Sequence, residues 1–170
     1  MNKIGKALDY VDRLWPAYGN IHSISEIRLP HKAREVLELV RTATLSSEEL
    51  QVAAILHDVP YYSDIEHEEI VKEFGKGVAQ ILHITTSIKY RDPHTPNYEY
   101  AKQIYQAKLI IEASILSNLI HLIGNPNLVL SDHIDALKYS FDEVYEIGDI
   151  GHDLLATTIK IILNSYRALK

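Results

Sequence analysis

Apolar side chains recur at the spacing of an α-helix along most of this chain, and that periodicity limits its fold more than any other feature. The N-terminal segment sets the pattern: Ile4, Leu8, Val11 and Trp15 share one helical face, which we expect Pro16 to end. No segment shows convincing alternation of apolar and polar residues between turns, as a half-buried strand would. The pattern predicts an all-α protein, a bundle of about seven or eight helices with no sheet.

Pairs of residues with the spacing of a capping box predict where two internal helices begin. Ser46 with Glu49 is expected to open a third helix, and Ser63 with Glu66 a fourth. In such a box the serine side chain accepts a hydrogen bond from a first-turn amide that has no partner within the helix. A second helix is predicted to begin near His31.

Proline and glycine residues predict where helices end. We expect Pro60 to prevent the third helix from continuing and Gly75 to stop the fourth. A fifth helix is predicted over residues 78–85, and a long helix is predicted from Tyr98 to Gly124.

The segment 88–96 contains two prolines and no periodicity, so it is predicted to be the longest loop. It carries Lys89 and Arg91 and is a candidate lid over a binding site. Two further helices are predicted at about 131–146 and 150–169, where they would complete the bundle. The last of them is expected to face the core with Leu154, Leu155, Ile159, Ile162 and Leu163.

The composition is that of an ordinary globular chain and argues against several classes of function. With 170 residues, 46% of them hydrophobic, the chain is long enough to bury a core as one domain spanning 1–170. A net charge of −6 argues against a nucleic-acid or anionic-membrane binder, because those rely on basic surfaces. The absence of cysteine excludes disulfides and thiolate metal sites.

Because no apolar run of about 18 residues and no signal peptide is recognisable, we expect a cytoplasmic protein without a membrane span.

A histidine and an aspartate, His57 and Asp58, stand side by side at the end of the apolar run LQVAAIL. Imidazole next to carboxylate is a pair that binds divalent metal ions. The alternative is a buried histidine near a helix end with a capping aspartate, and the dipeptide by itself favours that alternative. His31 heads the second helix, which antiparallel packing on the third helix would bring close to the pair. Two imidazoles and one carboxylate would suit manganese or zinc.

Several segments occur in an order typical of one enzyme family. LPHKAREVLELV places a histidine at the head of a helix, and AAILHDV leads into the His-Asp pair. FGKGVAQIL and ILHITTSI follow, and EASILSNLIHL has the pattern A-x-x-L-x-N-L. In this order the segments resemble the Rel/Spo branch of the HD superfamily, the guanosine tetraphosphate (ppGpp) hydrolases. The resemblance covers roughly residues 20–124 and implies an HD-domain helical bundle.

The resemblance also implies a metal-dependent hydrolysis of a small nucleotide. Its metal ligands would be His31, His57 and Asp58, and the divalent ion would be manganese. The family's fourth ligand is an aspartate in the pattern A-D-x-L, and this chain has Ser114 there. Because a serine hydroxyl is a poor ligand, we expect weak metal binding.

A second departure concerns the residues that would activate the attacking water. The family carries a glutamate and an aspartate after the His-Asp pair, and this chain has Tyr61 and Tyr62 at those positions. A tyrosine hydroxyl does not act as a general base at neutral pH. Asp64 or Glu66 could take over the catalytic role, although favourable interaction with a helix dipole explains both residues without one.

The candidates for substrate binding are four residues close to these motifs. Arg28 is the nearest counterpart of the family's base-stacking arginine, and Lys32 could contact a phosphate. Tyr61 and Tyr62 could stack on a nucleobase. A solvated surface charge for Lys32 and interior packing for the two tyrosines are the simpler alternatives.

Three hypotheses follow for the function of the chain. The first is an HD-type phosphohydrolase with weakened activity on a small nucleotide. The second is a non-catalytic HD-fold module that binds a nucleotide or a protein through the same cleft. The third is a structural interaction module in which the apolar C-terminal helix forms a homodimer.

Overall fold

The computed structural model describes residues 2–18, 29–90, 101–124, 130–146 and 154–168, and within these ranges all regular structure is helical. The helices are α1 (Lys3–Tyr18), α2 (Leu29–Ala43), α3 (Glu48–Leu56), α4 (Val59–Tyr62), α5 (His67–Phe74), α6 (Lys76–Tyr90), α7 (Ala101–Gly124), α8 (Leu130–Glu146) and α9 (Leu154–Ala168). Only α4, with four residues, is a single turn. The prediction of an all-α protein is therefore confirmed.

Helices α3 and α7 form the centre of the bundle, because other helices cover them on nearly all sides. In α3, Leu50 and the residues 52–56 are buried, and the helix packs against α1, α2 and α6. Helix α7 packs against α2, α3, α6, α8 and α9. A helix that is apolar around its circumference is stable in water only when other helices enclose it. One hydrophobic core contains buried residues of both the N-terminal and the C-terminal helices, from Ala7 to Leu163.

The apolar character of α7 corrects one expectation about membranes. Among the described residues, Lys102–Gly124 is long and apolar enough to cross a membrane, so the statement that no such run exists was wrong. About 78% of the apolar stretch of this helix is buried inside the protein, as in the central helix of a bundle. Length and composition alone are weak evidence for a membrane span.

The two predicted capping boxes are wrong in detail. Helix α3 begins after Ser47, one residue later than Ser46, and the Ser47 Oγ atom accepts a first-turn amide at 3.3 Å. Ser63 does not cap α5: its hydroxyl donates to the carbonyl of Val59 at 2.9 Å, and Glu66 precedes the helix. Neighbouring serines offer alternative local hydrogen bonds to the same backbone, so sequence spacing does not decide which bond forms.

Proline positions were predicted with mixed success. Pro60 lies in the first turn of α4, where its missing amide is not needed, and α3 has ended before it. Pro16 does not end α1, which continues to Tyr18. A proline removes one amide donor, and close to a helix end that loss is confined to the last turn.

The glycine stops at Gly75 and Gly124 are confirmed, because α5 and α7 end there. The predicted loop over residues 88–96 is wrong for residues 88–90, which belong to α6. Residues 91–96 and the start of the long helix at Tyr98 lie outside the described residues.

The C-terminal helix was predicted with Leu154 facing inward, and that detail is wrong. Leu154 and Ile161 of α9 are exposed, whereas Leu155, Ile159 and Leu163 are buried against the bundle. Successive residues of a helix point about 100° apart, so Leu154 points away from the face that carries Leu155, Ile159 and Leu163. A homodimer through α9 stays a prediction.

Candidate functional site

The predicted His-Asp pair lies in the tight turn that links α3 to α4. His57 ends α3 and Asp58 precedes α4, and both side chains are buried. The His57 Nδ1 atom is 2.8 Å from the carbonyl oxygen of Ala54. Because a carbonyl can only accept, Nδ1 is the donor in this bond, which fixes the orientation of the ring. The Nε2 atom then faces Asp58, 3.2 Å from its Oδ2 atom.

The carboxylate of Asp58 is also bound by a lysine of the neighbouring helix. The Nζ atom of Lys32, in the first turn of α2, lies 2.9 Å from Asp58 Oδ2. The side chains are only 8% and 7% exposed, so this is a buried ion pair. A charge removed from water is costly unless an opposite charge compensates it, and here the ammonium provides that compensation. Lys32 therefore points into the protein, towards Asp58, and its predicted contact with a phosphate stays a prediction.

A second polar cluster links α2 to α7 at the surface. His31 Nε2 lies 3.0 Å from Glu35 Oε1, one turn along α2. The Nε2 atom of His121, in the last turn of α7, lies 2.8 Å from Glu35 Oε1 and 2.9 Å from Oε2. Ser117 Oγ donates to Glu35 Oε2 at 2.7 Å. The two imidazole rings meet edge to face, with their centroids 5.7 Å apart.

The cluster favours the ionised form of Glu35. Burial by itself raises the pKa of this carboxyl group. Hydrogen bonds from His121 and Ser117, together with the charges of His121 and His31, outweigh the burial and hold the Glu35 pKa below its usual value. The carboxylate is therefore negative at neutral pH.

The implied metal ligands are divided between these two places. Among the described histidine, aspartate and glutamate residues, the group whose ligand atoms all lie within 4.8 Å of one another consists of His31, Glu35 and His121. His57 and Asp58 are not in that group. A manganese ion at this pair would have to displace the Lys32 ammonium group, which already contacts Asp58. The assignment of His31, His57 and Asp58 to one metal ion stays a prediction.

Of the remaining predicted residues that the structure describes, Ser114 is buried within α7, and the others lie between α3 and α5. Tyr61 donates its amide to the carbonyl of Asp58 at 3.0 Å, and Tyr62 packs against the hydrophobic core. Asp64 and Glu66 are exposed in the segment that leads into α5. Their catalytic and substrate-binding roles stay predictions.

Arg28 lies outside the described residues, and its predicted contact with a base stays a prediction. Glu35, Ser117 and His121 were not singled out from the sequence. A signal for them exists, because His31 with Glu35 and Ser117 with His121 are each one helical turn apart and share a helix face. Recognising it requires the knowledge that α2 packs on α7, which the sequence does not supply.

Helix α7 buries more polar side chains than a core helix normally does. Six of its buried residues are polar or charged: Gln106, Lys108, Glu112, Ser114, Ser117 and Asn118. Buried polar side chains are retained where hydrogen bonds or ion pairs satisfy them. Only Ser114 and Asn118 among them were noted in the sequence motifs.

The described residues thus contain two groups that could bind an ion or take part in a reaction. One is the buried group of Lys32, Asp58 and His57, and the other is the surface group of His31, Glu35 and His121. The chain was compared with protein-family models, with curated proteins and with solved structures, and none of the three comparisons found a match.

Proposed function

We propose that this chain is an HD-type phosphohydrolase-like protein, similar to the ppGpp pyrophosphohydrolases, whose metal-dependent activity is weak. The observation that supports the proposal is the buried pair of His57 and Asp58, whose Nε2 and Oδ2 atoms lie 3.2 Å apart in the turn after α3. The ion pair between Lys32 and Asp58 accounts for the expected weakness. Asp58 is the carboxylate of the His-Asp motif, and the lysine supplies a positive charge 2.9 Å from it without a metal ion. His57 remains oriented towards the same carboxylate.

The expected weakness follows from the competition between two cations for one carboxylate. Breaking a buried ion pair costs roughly 3–5 kcal/mol. Because about 1.4 kcal/mol corresponds to a tenfold change, displacement of Lys32 would reduce metal affinity by at most about two to four orders of magnitude. Ser114 adds to this weakness, since it replaces the ligand that the family places on α7.

The test is the release of pyrophosphate from ppGpp at saturating manganese. We expect the wild-type protein to turn over far below the rate of an ordinary enzyme, about 1–10³ per second. Lys32→Met should bind manganese more tightly, because Asp58 then lacks its ammonium partner. Lys72→Met, at an exposed lysine of α5, is the matched control, and His57→Ala is the blank. Turnover at an ordinary rate by the wild type would contradict weak activity, and unchanged manganese affinity in Lys32→Met would contradict the competition.

The same ion pair favours a second candidate, a non-catalytic module that binds a nucleotide through this region. A carboxylate already neutralised by lysine has less need of a metal ion. In that case guanine nucleotides should raise the melting temperature of the protein without any release of pyrophosphate, because a ligand bound only to the folded state stabilises it. Absence of both turnover and stabilisation would contradict both candidates.

A further inference from the structure

The surface cluster of α2 and α7 has a geometry that an interhelical ion pair does not require. Each helix contributes two polar residues one turn apart, His31 with Glu35 and Ser117 with His121. The Glu35 carboxylate lies between the two imidazoles, and both rings present their Nε2 atoms to it. The four side chains thus converge on one point between two packed helices.

The distances suit a metal ion after a small adjustment. Two ligand atoms that each lie about 2.1 Å from a tetrahedral ion are about 3.4 Å apart. The nitrogen–oxygen distances of the cluster are 3.0 Å for His31 and 2.8 Å for His121. The ligand atoms would therefore have to move apart by about half an ångström to accept an ion, which side-chain rotation can supply.

The set of donor atoms selects the class of ion. Two neutral imidazoles with one carboxylate form a ligand set of catalytic zinc sites, which keep a fourth position for water. The chain contains no cysteine that would favour a softer, thiolate-bound ion. Ser117 binds the other oxygen of Glu35 and would hold that carboxylate in a one-oxygen binding mode, as residues behind metal ligands commonly do.

We propose that His31 Nε2, Glu35 Oε1 and His121 Nε2 form a binding site for a zinc-like divalent ion, separate from the His57–Asp58 pair. The side chain of His31 is 60% exposed, so the ion can enter from solvent and the fourth position can hold water. The site joins the first turn of α2 to the last turn of α7. The two proposals share one residue, because the resemblance assigns His31 to the metal ion at His57 and Asp58. The zinc site uses neither Asp58 nor His57, so variants at Asp58 and at Glu35 tell the two sites apart.

The test uses zinc alone as the probe, in competition with a chromogenic chelator. The wild-type protein should bind one equivalent and gain melting temperature, because the ion binds only the folded arrangement. Glu35→Gln and His121→Ala should each weaken binding by more than about 100-fold, since each removes a direct ligand. Ser117→Ala should weaken it by about tenfold, the lower end of the range for an outer partner.

Two controls separate this site from the other histidines. His83→Ala removes a ring that lies 6.2 Å from His67, the other described histidine pair, and should leave zinc affinity unchanged. Asp58→Asn should also leave it unchanged. The circular dichroism spectrum of each variant confirms folding, and His121→Gln replaces His121→Ala if that variant does not fold.

Three results would overturn the proposal. Wild-type protein that binds no zinc would show that the cluster is an ion pair only. Unchanged affinity in folded Glu35→Gln and His121 variants would place the ion elsewhere. Affinity lost in Asp58→Asn instead would assign the ion to the His57–Asp58 turn, while the hydrolase proposal would remain testable by its own assay.

Discussion

The Lys32 ammonium nitrogen lies 2.9 Å from Asp58 Oδ2, and the pair joins α2 to the turn between α3 and α4 in the interior of the protein. Neither partner alone would be stable there, because a single buried charge lacks compensation. His57, also against Asp58, makes the turn a group of three polar side chains within an otherwise apolar region.

The first prediction concerns the stability of this ion pair. Lys32→Met should lower the free energy of unfolding by roughly 3–5 kcal/mol at neutral pH, because it removes the buried positive charge next to Asp58. Urea denaturation, with and without manganese, measures the effect. Manganese should restore part of the lost stability if an ion can take the place of the ammonium.

The double variant Lys32→Met/Asp58→Asn is the control for that prediction. It removes both charges, so it should be more stable than Lys32→Met alone. If the two variants are equally unstable, the loss comes from packing around the lysine stem and not from an uncompensated charge.

The second prediction concerns repair of the implied hydrolase centre. Ser114→Asp should raise manganese affinity and leave turnover low, because the water-activating acids are still missing. Since position 114 is buried, the new carboxylate should also make stability depend on manganese. Addition of Tyr61→Glu and Tyr62→Asp should then raise pyrophosphate release from ppGpp more than the separate repairs together, because residues that act as a unit are non-additive.

His57→Ala in each repaired background supplies the blank for that assay. Repairs whose effects on turnover multiply independently would count against a single catalytic unit. High turnover before any repair would mean that another residue, Asp64 or Glu66 by preference, performs the acid's role.

The third prediction concerns the joint between α5 and α6. Gly75 has φ 102° and ψ 160°, a backbone conformation that is essentially reserved for glycine. Its amide donates to the carbonyls of Ile70 and Val71 and so ends α5. Gly75→Ala should destabilise the protein by about 1–3 kcal/mol in a thermal or urea denaturation.

Crowding does not explain that cost, because a Cβ atom at Gly75 would meet its nearest neighbour, Lys3 Nζ, at an ordinary 3.4 Å. Gly124→Ala is the matched control: a Cβ atom there meets nothing within 4 Å. It should change stability by no more than about 0.5 kcal/mol. Equal effects at the two glycines would contradict backbone strain as the cause.

The fourth prediction concerns pH and the ion pair between α1 and α2. Arg34 donates two hydrogen bonds to Asp12, of 2.9 and 2.7 Å. These bonds from Arg34 hold the Asp12 pKa below its usual value, against the opposing effect of burial. The pair therefore stabilises the fold at a pH above the ordinary aspartate pKa of about 3.9, and this contribution is lost as the pH falls through the lower folded pKa.

Both side chains are nearly half exposed, so water screens the pair and limits its contribution to about 1 kcal/mol. We expect Asp12→Asn to be less stable than wild type at pH 7 by up to that amount, and the difference to shrink towards pH 3. Arg34→Lys should retain part of the effect, since it keeps the charge but loses the paired geometry. A difference that does not change with pH would show that the carboxylate charge is not involved.

The sequence by itself was sufficient for the fold class and for most helix positions. Helical periodicity and the helix ends at Gly75 and Gly124 depend only on residues within one or two turns of each other. They can therefore be recognised in the sequence without knowledge of the fold. The sequence did not decide which of two neighbouring serines, Ser46 or Ser47, caps α3, because both offer similar local hydrogen bonds.

Only the tertiary structure decided which polar side chains meet. Lys32 and Asp58 are far apart in the chain, and so are Glu35 and His121, yet each pair is in contact because α2 packs on both α3 and α7. His31 and Lys32 are adjacent in sequence, and the 100° turn between neighbouring helix positions directs one side chain to the surface and the other to the interior. The resemblance predicted His31 as a metal ligand. The orientation of α2 within the bundle determines which residues the His31 side chain contacts, and these include Glu35.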